Sequence, residues 1–240
     1  MKNNGMDGAG KITTWFIVGF LVLVVGGVIV AGAISGNAPA TDPNAGFVAT
    51  TAPAITAADW TMGDKNAKVS LIEYGDFQCP ACGEYYPIVN QLLKNYGNNI
   101  LFVFRNFPLY TIHPDAGISA QAAEAAGLQG KFWDMYNMLY QKQLTWTTAA
   151  PNTVVSAYFD GYAQSLGLDV KKFDADINSS AVTGKIQNDV NGANTAAVDH
   201  TPTFFVNLKQ IPNPASYDQF KAAIDQAFGN GSSSASSTGK

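Results

Sequence analysis

Cysteine is almost absent from this chain: Cys79 and Cys82 are the only two. A single possible pair excludes a fold stapled by several disulfides. Histidine is as scarce, with only His113 and His200. A structural zinc site wants four ligands, and these four residues do not have finger-like spacing. Charge is thin as well: 14 Lys and Arg stand against 18 Asp and Glu, net −4, with no basic patch. That argues against nucleic acid as a partner.

The longest gap in charge runs from Ile12 to Thr41, which holds no charged residue at all. Within it, residues 13–34 are almost wholly apolar, Trp15, Phe16, Leu21, Val25 and Val30 among them. About 20 such residues cross the hydrocarbon core as a helix, whereas the apolar run of a cleaved signal is only ~7–15. Small residues at 31–33 and 38–40 leave cleavage open as the alternative. Lys2 and Lys11 precede the run, and no basic residue follows until Lys65. By the positive-inside rule, residues 1–12 are expected in the cytoplasm, 13–34 as a single membrane anchor, and the rest outside the cell membrane. Residues 35–58, rich in Ala, Thr and Pro, read as a flexible linker. Residues 59–228 are long enough for one domain, and the Gly/Ser-rich residues 229–240 read as a disordered tail.

The domain is expected to be α/β. Val69 to Tyr74 and Ile100 to Phe104 are short apolar runs of strand type, with a helix expected over 80–96 between them. Strand, crossover helix and strand make a parallel βαβ unit. An alanine-rich helix over 116–128 opens a helical block, continued by Phe132, Tyr136, Leu139 and Tyr140 and by Val155, Phe159, Tyr162 and Leu166 at helical spacing. Further helices are expected over 172–177 and 182–198. Strand character returns over 203–206, and a closing helix over 215–228 has Asn213 and Pro214 as its cap and first position.

The two cysteines fall where the first strand gives way to the helix, in Phe77-Gln78-Cys79-Pro80-Ala81-Cys82. A helix N-terminus has unpaired N–H groups and the positive end of the dipole. A thiol there ionises more easily, and the thiolate is the form that attacks disulfides. Cys79 lies nearer that terminus, and Cys82 is one turn further in. Glu73, alone in an apolar strand, needs a reason to be there, because carboxylates are seldom buried unpaired.

These stretches, with Arg105-Asn106-Phe107-Pro108, His113-Pro114-Asp115-Ala116 and Thr201-Pro202-Thr203-Phe204, resemble the DsbA-like branch of the thioredoxin superfamily. The resemblance implies a thioredoxin fold with a helical insertion, here about 114–198, acting as a thiol:disulfide oxidoreductase. It implies no cofactor beyond the Cys79–Cys82 disulfide and no metal. Cys79 would be the exposed nucleophile, Cys82 the resolving thiol and Glu73 an acid–base group for Cys82. Pro202 would be the cis-proline facing the dithiol, with the Thr201 backbone pairing to a client peptide. Strongly oxidising members carry histidine between the cysteines. Pro80 and Ala81 stand here instead, so a less oxidising potential is expected. His200 is a candidate to tune Cys79, and Arg105 to pair with Glu73. Clients would be secreted or surface proteins with free thiols, and a quinone-linked membrane protein would recharge the dithiol. A reductase or isomerase, or a client-binding module without catalysis, uses the same residues.

Overall fold

The computed structural model describes residues 49–148 and 153–233. The expected cytoplasmic segment, membrane anchor, most of the linker and residues 234–240 lie outside the described residues. Among the described residues, no helix is long and apolar enough to cross a membrane.

Among the described residues five strands form one sheet, in the order β1-β3-β2-β4-β5. They are β1 Trp60–Gly63, β2 Val69–Gly75, β3 Ile100–Asn106, β4 Thr203–Val206 and β5 Lys209–Ile211. β2 and β3 are parallel and are joined through α1 Pro80–Tyr96; the other pairings are antiparallel. Between β3 and β4 the described residues hold α2 Ala116–Gly127, α3 Phe132–Gln141, α4 Gln143–Thr147, α5 Thr153–Ser165, α6 Val170–Ile177 and α7 Ser180–Thr195. This is the expected insertion. α8 Tyr217–Ser233 closes the fold.

Strand alternation sorts the core, because successive side chains point to opposite faces. Val69 and Leu71 join Phe102, Phe104 and Phe204 on one face, packed with Val89 of α1, Tyr136 of α3 and Phe220 of α8. Ile72 and Tyr74 join Val103 and Phe205 on the other, with Ala52 and Ala193. β3 is buried along its whole length, as a central strand covered on both faces must be. The parity puts Glu73 on the face that α1 covers.

Three boundaries differ from expectation. Residues 50–58 are not spacer: the Ala52 N–H donates to the Leu208 carbonyl (2.8 Å), the Gln210 N–H to the Thr50 carbonyl (2.9 Å), and Ala52 is buried. A stretch with no periodic pattern is held here by backbone bonds along β5, which composition does not encode. The last helix begins at Tyr217, where Ser216 Oγ accepts from the Gln219 N–H (3.3 Å), and it runs through Gly229 to Ser233. β1 and β5, four and three residues long, carry no alternating pattern of their own and form against existing strands.

Candidate functional site

The site forms where β2 ends. Cys79 occupies the cap position of α1, with extended backbone (φ −65°, ψ 120°) and Pro80 as the first helical residue. Proline costs nothing there, since that N–H has no helical partner. Cys79 is 6 % exposed and Cys82 is wholly buried, so only Cys79 offers a path to an incoming sulfur. The opening is narrower than the exposed nucleophile expected, because a second loop covers it. The Thr201–Pro202 peptide bond is cis, and the Cys79 thiol donates to the Thr201 carbonyl at 3.3 Å. Thr201 is itself buried, its carbonyl taken by this bond rather than open to solvent.

Both thiols are free. A hydrogen bond from the Cys82 thiol is the largest influence lowering Cys79, to about 5; burial opposes it, while the Thr201 side chain and the N–H groups of Cys82 and Ala81 add to the fall. Burial first, then the bond to and charge of Cys79, push Cys82 well above the ordinary thiol range. The two thiols are thus driven apart, one ionised at neutral pH and the other held protonated. Pro80 and Ala81 contribute through the backbone alone: the ring fixes the turn and Ala81 offers its N–H.

Glu73 is buried and its Oε2 has no hydrogen-bond partner. Burial, and then the negative charge of Cys79, raise its carboxyl to about 8. It also acts on Cys82, the thiol buried on its own face of the sheet. The expected pairing with Arg105 does not occur. Tyr74, not Glu73, is in register with Arg105, and alternation sends Glu73 to the opposite face. Arg105 instead grips Asp59 through Nε (2.7 Å) and Nη2 (3.1 Å), and donates to the Tyr74 hydroxyl and the carbonyls of Pro53 and Ala54. Burial alone would lift Asp59, but the Arg105 hydrogen bond, with help from the Thr56 N–H, holds it below its usual value. Arg105 is a fastener for the N-terminal segment, remote from the dithiol chemistry.

His200 also departs from expectation. It is exposed, its Nδ1 lies 2.6 Å from Asp199 Oδ1, and it is not among the groups that move the Cys79 thiol. It stands in the bend before β4, where no strand or helix periodicity turns its side chain toward the dithiol.

Asp76, Gln78 and Gln143, three polar residues that sequence reasoning passed over, hold the site. The Asp76 N–H donates to Cys82 Sγ (3.5 Å), its Oδ1 accepts from the Gln78 N–H (2.8 Å), and its Oδ2 accepts from the Leu109 N–H (3.0 Å). His113 Nδ1 lies 2.6 Å from the same Oδ2, a structural role. Gln78 Oε1 accepts from the Asp115 N–H (2.6 Å), tying the active-site turn to the start of the insertion. Gln143 Nε2 donates to the carbonyls of Phe77 and Cys79, both at 2.8 Å. Asn213, read as a helix cap, instead donates from Nδ2 to the Pro202 carbonyl (2.7 Å). Asp76, Gln78, Gln143 and Asn213 each reach a backbone atom of a distant segment, so no local motif marks that role. Among the described residues, no cluster of His, Cys, Asp and Glu is arranged to hold a metal ion.

A parallel βαβ core, a helix-capping Cys-x-x-Cys and a facing cis-proline loop define a thioredoxin-type dithiol protein. The chain belongs to the thioredoxin family, which it matches over residues 56–226. Its fold is similar to that of BdbD from Bacillus subtilis, with a TM-score of 0.65 and 22% identity over 75% of this chain and 97% of that one. It is also similar to α-DsbA1 from Wolbachia pipientis, with a TM-score of 0.63 and 20% identity over 74% and 94% of the two chains. In sequence, 170 residues are 38% identical to a protein of Salinispora arenicola named Na+/H+ antiporter NhaA 1, covering 71% of this chain and 25% of that one. The chain spans about a quarter of the length of the curated relatives it matches.

Proposed function

We propose that this protein is an extracytoplasmic, membrane-tethered thiol:disulfide oxidoreductase that oxidises thiols of client proteins through Cys79 and Cys82. One observation carries the reading: the accessible thiol is lowered to about 5 while its buried neighbour is raised. A stabilised thiolate favours the reduced dithiol, and so makes the disulfide a better oxidant.

The cycle begins with the Cys79–Cys82 disulfide. A client thiolate attacks Cys79 Sγ, forming a mixed disulfide and releasing Cys82 as a thiolate. Glu73, whose carboxyl is raised to about 8 and is therefore protonated at neutral pH, supplies the proton that Cys82 takes up. A second client thiolate attacks the client sulfur of the mixed disulfide. Cys79 then departs as a thiolate, and a low-pKa leaving group leaves faster. The client has lost two electrons and the dithiol has gained them. As a thiolate or in a disulfide Cys79 has no S–H to donate, so through the cycle the Thr201 carbonyl is free for a client N–H beside Pro202. From His200 and Gln210 past Ile211 to Pro214, a groove of about 850 Å³ with Ala222 and Gln226 on its other side leads away from this loop and offers room for an extended client segment.

A quinone-linked membrane protein is the proposed acceptor that restores the disulfide. The apolar run over 13–34 supports a membrane location. So do relatives in which a matching domain shares its chain with a named Na+/H+ antiporter.

Equilibration with glutathione and oxidation of a reduced, unfolded client test the direction. An oxidase gives a potential well above glutathione's and accelerates client oxidation, both lost in Cys79→Ser. A lower potential with no acceleration would assign the protein to reduction. Client handling that survives loss of both cysteines would make it a binding module.

A further inference from the structure

Gly83 is the fourth residue of α1, where glycine costs ~1 kcal/mol of helix stability relative to alanine. No left-handed backbone requires it. The reason for glycine lies across the interface: an added Cβ would sit 2.2 Å from Gln143 Oε1 and 2.9 Å from Gln143 Cδ. The notch left by Gly83 is filled by the amide of a residue sixty positions away.

That amide is buried, and one nitrogen gives both its hydrogens to the active-site turn, at 2.8 Å to the Phe77 carbonyl and 2.8 Å to the Cys79 carbonyl. Two carbonyls two residues apart, fixed by one planar group, set the rotation of the Phe77–Gln78 and Cys79–Pro80 peptide planes. The second plane leads through Pro80 to the Ala81 and Cys82 N–H groups that bond the Cys79 sulfur. The two donors also offset the negative ends of carbonyl dipoles close to that sulfur. Behind Gln143, α4 is braced by the Trp146 indole, which donates to the Leu139 carbonyl (2.8 Å) and packs edge-on against Phe159.

We propose that Gln143 is a positioning residue for thiol–disulfide exchange: through this one amide, seated in the Gly83 notch, the helical insertion holds the Phe77–Cys79 turn in the geometry that aims the α1 amides at the Cys79 sulfur. This rests on the dithiol being the exchange site. The insertion then governs the reactivity of the cysteines as well as covering the core.

The test uses the full-length chain and reads thiolate absorbance of the reduced protein against pH, the equilibrium constant with glutathione, and thermal midpoint. Gln143→Met keeps the shape and removes both donors. Losing two hydrogen bonds to the turn raises the Cys79 titration midpoint by about one pH unit and favours oxidation of the dithiol by glutathione disulfide about tenfold. Gly83→Ala, which presses on the same amide from the helix side, moves both readouts in the same direction and serves if Gln143→Met does not fold. Gln143→Asn, which retains a shorter amide, recovers part of the shift. Phe159→Leu loosens the brace without touching the turn, lowering the thermal midpoint and leaving the Cys79 titration unchanged. An unmoved Cys79 midpoint in a folded Gln143→Met or Gly83→Ala protein overturns the proposal, as does an equal shift in Phe159→Leu. Absence of client oxidation in the wild type would sink the enzymatic reading while leaving the titration comparison in force.

Discussion

Replacing Glu73 by Gln should stabilise the protein, and do so only above the acidic range. The carboxyl is buried, its Oε2 has no partner, and its value rises from 4.5 to about 8 through burial and the Cys79 charge. A raised carboxyl binds its proton more tightly in the folded chain. Its favourable contribution is complete below pH 4.5 and is lost as pH climbs through about 8. At ~1.4 kcal/mol per decade, the displacement amounts to about 5 kcal/mol by pH 9. Gln fills the same space and carries no charge to desolvate. Denaturant unfolding of reduced wild type and Glu73→Gln, run from pH 4 to 9, should show near-equal stabilities at pH 4 and a widening gap in favour of the variant up to pH 9. In the oxidised protein Cys79 is no longer charged, so the gap should be smaller. A gap that stays the same at both ends of the range would refute the reasoning, since it would mean that ionising Glu73 costs the fold nothing. The same variant should slow the release of Cys82 from the disulfide at neutral pH, measured as the rate of mixed-disulfide formation.

Reduced wild type should show a thiolate titration with a midpoint near 5, absent in Cys79→Ser, and alkylation at pH 6 should modify Cys79 and spare Cys82. Arg105→Met should cost about 3–5 kcal/mol, because it leaves the buried Asp59 carboxylate without its partner. The Cys79 midpoint should stay in place, since Arg105 lies on the other face of the sheet. Gly75→Ala should cost about 1–3 kcal/mol by overpacking, as its Cβ would come 2.4 Å from the Phe104 ring, and a Tm series with Phe104→Leu added should recover part of the loss.

The parts that were legible in the sequence share a physical origin. The central strands, the helix between them and the insertion helices announce themselves because burial on a sheet or helix face imposes a periodicity that single residues cannot hide. Cys79, Cys82 and Pro202 were readable because each uses a local property: a helix terminus, one turn of spacing, a proline before a strand. The errors lie where the deciding contact is distant. Arg105 and Glu73 sit on adjacent strands and have opposite charge, yet a register of one residue separates them across the sheet. Asn213 has the composition of a cap but spends its amide on Pro202. Residues 50–58 look like spacer, and they complete the edge of the sheet and the Arg105 network.

By itself, then, the order of residues determined which segments become strands and helices and that a dithiol opens the first helix, because backbone periodicity and helix-end electrostatics act over a few residues. Tertiary structure alone decided how reactive that dithiol is. The Thr201 carbonyl, the Gln143 amide, the Asp76 N–H and the bare Glu73 carboxyl come from four separate stretches of chain. The energy of an ionised sulfur depends on the dipoles and the water within a few ångströms of it, and only the packed fold brings those together.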